Sequence, residues 1–235
     1  MAEWMDTVLG ASGTDIASPA PGLSEHEIQR TIGAHLPGDH VELLRQSNGF
    51  RLYDGYFQLF PVVSSDGWSI ATWNDPATWK FAWPDGVDEY LSFGETVWGD
   101  QYSYRRDELG AGRDAAVYFV DALRMQARQL APNFNEFGER FLTRNAIDPF
   151  DSVLRQAHEK LGRIQPDTHL VFSPPVLLTG EERLEDVMRM PARQAMILNG
   201  DLWTQLANPP RDATVAGLAV VKDEQGRDRM KVAWT

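Results

Sequence analysis

Hydrophobic and polar positions change period several times along the chain, and each change marks an element. Trp4, Met5, Val8 and Leu9 fall at helical spacing. Gly10 to Gly22 follows, rich in Ala, Gly, Ser and Pro, and reads as an irregular arm. Ser24 and Glu27 have the spacing of a capping box, in which each side chain satisfies an orphan backbone N–H of the first helical turn. A helix is therefore expected to about Ala34, with Ile28 and Ile32 inward. Pro37 suits the start of a second helix, where its missing N–H costs nothing. Val41, Leu43 and Leu44 face inward there, and Asn48-Gly49 is its stop. The period then shortens to two. Phe50 to Tyr53 and Tyr56 to Val63 read as strands joined through Asp54-Gly55, a type I′ turn pair. Leu91 and Phe93 alternate with polar residues, Gly94 to Gly99 supplies a tight reversal, and Tyr102 and Tyr104 share a face. That hairpin reads as the centre of a sheet. Ala115 to Val120 is a buried strand, and Phe134, Phe137, Phe141 and Leu142 mark one face of a helix after Pro132.

The second half is less regular. Asn145 to Pro149 reads as a domain boundary. Asp151 to Leu161 is expected to be helical, with Val153, Leu154, Ala157 and Leu161 inward and Gly162 as stop. Leu170 to Leu178 reads as extended, across Pro174-Pro175. Leu184 to Met190 and Ala192 to Leu206 read as helices, the second kinked or broken at Asn199-Gly200. Val215 to Val221 and Arg229 to Trp234 form a terminal hairpin around Glu224-Gln-Gly226. The expected fold class is α+β: a twisted, mainly antiparallel sheet flanked by helices, followed by a smaller helix-rich α+β domain. The divisions are an arm over 1–22, a first domain over 23–145 and a second over 146–235.

Composition adds the first functional constraint. A 235-residue chain with 43% hydrophobic residues can bury a substantial core, and no apolar run approaches the length that crosses a bilayer. Met1 to Asp6 carries acids where a signal peptide would carry bases, and there is no cysteine, so a cytoplasmic protein without disulfides is expected. The net charge of −12 is uneven: residues 1–110 hold 17 acidic and 6 basic side chains (6 − 17 = −11), and 111–235 hold 17 and 16 (16 − 17 = −1). A field of that sign repels nucleic-acid phosphates and steers a basic protein toward the N-terminal half. Half of the eight tryptophans, Trp68, Trp73, Trp79 and Trp83, lie in 64–90, where Lys80 is the sole cation. Rings covering the sheet account for most of them; one or two at a partner interface is the functional alternative.

Catalytic patterns are weak. His26, His35, His40, His158 and His169 form no HExxH pair. There is no Gly-x-Ser-x-Gly elbow, no phosphate-binding loop and no dinucleotide fingerprint. Asp223 to Asp228 is too short for a calcium loop and fits a hairpin turn. No catalytic residue, metal or cofactor is expected.

The order of short motifs carries more. Leu36-Pro37 and Asn48-Gly49 frame a helix pair. Phe93-Gly94, Gly99-Asp100-Gln-Tyr102 and Phe134-Asn-Glu-Phe137 follow in that order. Over about residues 23–143 this resembles the SUKH superfamily and its GAD-like relatives. Asp151 to Gly162, Pro166-Asp167, Phe172 to Gly180 and Leu184 to Val187 are similar to the C-terminal domain that follows GAD-like domains in type VI secretion immunity proteins. Thr179-Gly180 stands where that family carries two glycines. The resemblance implies an immunity protein that binds and neutralises a cognate antibacterial toxin by occluding its active site. The toxin would be a nuclease effector of a type VI or related system, with no direct contact of this chain with nucleic acid or membrane. Acids and aromatics near the sheet and its Trp-rich loop are the expected contacts: Asp85, Asp88, Glu89, Glu95, Trp98 and Asp100. Two other classes stay open. One is a regulatory or scaffolding SUKH-like module that binds a basic protein. The other is an enzyme with a site assembled from distant residues, which a buried polar pocket with perturbed carboxylates or histidines would favour.

Overall fold

In a computed structural model of the chain, residues 3–11, 14–16, 23–64, 68–83, 86–143 and 152–235 are described. Strands β1 (Asp15–Ile16), β2 (Phe50–Leu52), β3 (Phe57–Leu59), β4 (Tyr90–Thr96), β5 (Gln101–Arg105), β6 (Val117–Val120) and β7 (Ala127–Ala131) form one sheet. Every neighbouring pair is antiparallel, and the order in space is the order in the chain. Helices α1 (Glu3–Leu9), α2 (Glu25–Ile32), α3 (Gly38–Ser47) and α5 (Phe134–Phe137, continued by a π-helical turn over Gly138–Leu142) and the short α4 (Ile70–Trp73) complete the first part. The Ser24–Glu27 capping box is formed, and Asn48 closes α3 in the left-handed conformation at φ 44°. The turn after β2 departs from expectation. Tyr53 and Asp54, both at φ 55°, take the left-handed pair one residue earlier than Asp54-Gly55, and Leu52 pairs with Phe57 across a longer loop.

The two faces of the sheet differ in chemistry. One face packs on α3 and α5. Phe93 meets Tyr104, Phe134 and Phe137 with ring centroids 4.5, 5.7 and 5.8 Å away, and Tyr102 meets Phe137 at 5.2 Å. Trp4 of α1 adds to this layer. It donates to Asn135 Oδ1 at 2.8 Å, and its indole lies flat on Gly138, where there is no room for a Cβ. The other face carries Ser92, Ser103, Gln101 and Glu95, all buried. Trp73, Trp79 and Trp83 are buried over or beside it, so aromatic covering explains the Trp-rich segment.

A β-bulge divides the central strand. Ser92 pairs with Ser103, but Gly94 pairs with Tyr102, so Phe93 is the extra residue. Strict alternation from Leu91 and Phe93 would put residue 95 on the helix side. The extra residue restores Glu95 to the polar face. Gly94 is required by close approach: a Cβ there would lie 2.8 Å from the Gln58 carbonyl oxygen of β3. The strand runs on to Thr96, so the reversal is narrower than Gly94 to Gly99.

The second half consists of α6 (Ser152–Leu161), β8 (Thr168–Phe172), α7 (Val176–Thr179), β9 (Val187–Pro191), α8 (Ala192–Ala207), β10 (Val215–Lys222) and β11 (Asp228–Trp234). Asn145 to Pro149 lies outside the described residues. Three expectations are corrected. Residues 187–191 are a strand paired with β8, because Leu170–Arg189 pairing and burial of Val187 outweigh local helix propensity. Val176–Thr179 is a helical turn where an extended segment was expected. Helix α8 also runs unbroken through Asn199-Gly200. This half is joined to the first by Ile164 N to Asp54 O at 2.8 Å, Leu170 N to Val97 O at 2.8 Å and Trp83 Nε1 to Met196 O at 2.9 Å. Met196 and Ile197 enter the main core, while Tyr56, Val97, Ala157, Ile164, Leu170 and Val187 form a second cluster.

His40 is fully buried in the helix-side core. It stacks on Phe134 at 4.3 Å, and its Nδ1 lies 3.1 Å from the Tyr104 hydroxyl. Burial lowers its pKa to about 3, so the folded state holds it neutral while the unfolded chain protonates it near 6.5. The unfolded state therefore binds the extra proton, and stability present above pH 6.5 is lost as pH falls below it. Between pH 7 and 5 the loss is expected to be about 2 kcal/mol. Urea midpoints across that range test this: a His40→Leu variant should show a pH slope shallower by that amount, and an unchanged slope would reject it.

Candidate functional site

The site builds outward from the turn that joins β4 to β5. Gly99 at φ 89° lets the chain reverse, and Thr96 Oγ1 donates to Asp100 Oδ2 at 2.9 Å while Asp100 N returns a bond to Thr96 Oγ1 at 3.2 Å. Asp100 Oδ1 accepts from Ala122 N at 3.0 Å. Burial raises the Asp100 pKa, and those two bonds to its carboxylate oppose the shift. Trp98 projects from the same turn and stacks on Phe172 of β8 at 5.0 Å with 10° between the planes. A Cβ on Gly99 would meet the His169 ring at 2.9 Å, so glycine also lets β8 press against the turn.

Beneath the turn lies the buried polar layer. Gln101 donates from Nε2 to Gly99 O at 2.7 Å and to Glu95 Oε2 at 3.2 Å, and its Oε1 accepts from Trp73 Nε1 at 2.7 Å. His169 Nε2 sits 3.1 Å from Glu95 Oε2, but neither ring nitrogen has the alignment of a hydrogen bond. Ser92 and Ser103 hydroxyls meet at 3.0 Å, and Asn74 clamps Ser92 through both its amide atoms, accepting from Ser92 N at 2.8 Å and donating to Ser92 O at 2.6 Å. Glu95 is 3% exposed and His169 1% exposed, closed over by Trp73 and β8. A carboxylate–imidazole pair is a catalytic pattern only where substrate reaches it.

A cavity of about 230 Å³ opens beside the turn, walled by Trp98, Phe172, Leu170 and Val176 with Asp100, Glu182 and Asn199 as polar groups. Glu95 and His169 do not line it. Among the described residues, no group of three or more His, Asp or Glu is placed to hold a metal ion, and no helix is long and apolar enough to cross a membrane.

The expected contact residues divide into two groups. Trp98 and Asp100 come together at the cavity, half-buried. Asp88 and Glu89 are exposed on the 3₁₀ turn that precedes β4, at its opposite end. β4 has seven residues, so about 20 Å separates the groups. The Asp88 end is partly neutralised: Arg106 Nε donates to Asp88 O at 3.0 Å, and Lys80 Nζ is 3.9 Å from the Asp88 carboxylate. Burial pulls the Lys80 pKa down to about 8, reinforced by Arg106 and opposed by Asp88. Asp85 lies outside the described residues. Glu95 was expected at a surface turn and is instead interior, because the bulge at Phe93 aims it into the polar layer. His169, Phe172 and Asn199 were not singled out for this site. They arrive from β8 and α8, about 70 to 100 residues downstream, and only the apolar run after His169 hinted at burial.

Comparison with known proteins is consistent with the meander and its helices. The chain matches no curated protein. A solved structure, that of Atu4351 from Agrobacterium tumefaciens, is similar over 98% of this chain and 97% of its own, with a TM-score of 0.56 and 13% sequence identity, a likeness of fold alone. The SMI1/KNR4 family (SUKH-1) profile matches residues 22–140, which hold β2 to β7 and the whole central hairpin. The chain therefore belongs to the SMI1/KNR4 family, SUKH-1.

Proposed function

We propose that this protein is an immunity protein that binds and neutralises a cognate antibacterial toxin in the cytoplasm. The toxin is a nuclease effector of a type VI or related secretion system, and binding occludes its active site. The observation that carries the reading is the coincidence of the SUKH-1 match with the acidic half of the chain: the match covers 22–140, and residues 1–110 carry −11 of the −12 net charge. SUKH modules include immunity-type proteins, and an acidic surface suits a nuclease whose substrate groove is basic. Residues 146–235 would act as the C-terminal part of such a two-domain inhibitor. Asp88, Glu89, Trp98 and Asp100 are the proposed contacts, with Glu95 holding the turn from within.

The test is co-expression with a nuclease effector of a type VI or related system from the same organism. Survival of the cells and a complex that persists through gel filtration are expected; death of the cells with no complex would reject the reading and favour a regulatory module. In the purified pair, Asp88→Lys with Glu89→Lys is expected to slow association about tenfold and to flatten its salt dependence. An unchanged on-rate moves the interface away from that end of β4.

A further inference from the structure

The terminal hairpin is left unused by the proposed function. β11 rests on α8: Val232 N donates to Gln205 Oε1 at 3.0 Å and Met230 N to Asp201 Oδ2 at 2.8 Å, and Arg229 pairs with Asp201. β10 is carried outboard of it, and among the described residues it pairs with β11 alone. From Val215 to Val221 the strand has no charge and no proline. Val220 is 54% exposed, Val215 38% and Val221 36%. Edge strands in monomers are ordinarily short, charged, bulged or covered; the irregularity in β10 lies between Val215 and Gly217 and leaves Gly217 to Lys222 in regular register. This one has eight residues, and Lys222 at its end is engaged by Asp228 at 2.6 Å.

We propose that β10 pairs with β10 of a second copy of this chain, antiparallel about a two-fold axis, to give a continuous four-stranded sheet. Charge selects this occupant. A nuclease with a basic face seeks carboxylates, and Val215–Val221 offers none. An uncharged strand fits an uncharged strand, and a two-fold axis lets the same patch serve both copies. The surrounding half is also the near-neutral one, with −1 over 111–235 against −11 over 1–110, so two copies meet where mutual repulsion is weakest and leave the acidic halves free. Pairing satisfies the free N–H and C=O groups of both edges and sets side chains of the second copy beside Val220.

Ala219, exposed near the middle of the strand, is the position to test. Sedimentation velocity across the micromolar range is expected to show wild type passing from monomer to dimer. Ala219→Lys and Ala219→Glu should each raise the dissociation constant about tenfold or more through like charges near the axis, and an equimolar mixture of the two should restore the dimer. Circular dichroism and urea midpoints matching wild type would show that both variants fold. A wild type that stays monomeric, a lysine variant that dimerises as wild type does, or a mixture that does not recover overturns the proposal. Loss of nuclease binding in Ala219→Lys by a monomeric wild type also overturns it and assigns the edge to the effector.

Discussion

Replacing Trp73 by alanine is expected to destabilise the fold by about 4 kcal/mol, read as a shift of the urea midpoint. The indole is 1% exposed and lies 4.5 Å from Trp68, 5.6 Å from Trp79, 5.7 Å from Phe60 and 6.1 Å from His169 between ring centroids. Removing it opens a cavity between the sheet and its cover. It also leaves Gln101 Oε1 without the 2.7 Å bond from Trp73 Nε1, a buried acceptor unsatisfied in a low-dielectric layer. Trp73→Phe separates the two losses. It keeps most of the packing and removes the donor, and is expected to cost about 1–2 kcal/mol. A Trp73→Ala loss below about 1 kcal/mol would mean that the tryptophan cluster is not what holds the polar face closed.

Gly200→Ala is expected to destabilise by about 1–3 kcal/mol, although alanine in a helix interior ordinarily gains about 1 kcal/mol over glycine. The reversal is steric. A Cβ at residue 200 would lie 2.8 Å from the Ala82 carbonyl oxygen and 2.8 Å from Trp83 Nε1, which donates to Met196 O at 2.9 Å. Helix α8 would have to retreat from the segment that ends in Trp83, and Ala192, Met196 and Ile197 would leave the main core with it. Gly200→Val should be worse than alanine. Thermal melts of both variants decide the matter: a stabilised Gly200→Ala would show that α8 can shift at little cost and that the two halves are loosely joined.

The two substitutions bear on function as well as stability. The turn with Trp98 and Asp100 is held from one side by Gln101 and Trp73, and from the other by Leu170 N on Val97 O and Phe172 on Trp98. A partner contacting that turn reads a surface assembled by both halves. Under the proposed immunity function, loosening either side should weaken toxin binding at positions the toxin does not touch.

Period and local chemistry determined much by themselves. The capping box at Ser24, the Asn48 stop and the Phe134–Phe137 face are short-range patterns whose physics is complete within a few residues, and they stand as read, as does the existence of the central hairpin, though not its bulge or the width of its turn. Charge asymmetry and motif order were likewise in the sequence, and with them the SUKH reading. What tertiary structure decided was long-range. Val187–Pro191 became a strand because β8 was there to pair with it. Gly200 stayed inside a helix because Trp83 needed the space. Glu95 turned inward because one extra residue at Phe93 changed which face it occupies, and Asp88 fell a strand's length from Asp100. His169 reached the site from a strand whose partner, cover and register all lie elsewhere in the chain. Such placements depend on contacts between residues far apart in sequence, and no window along the chain contains both partners.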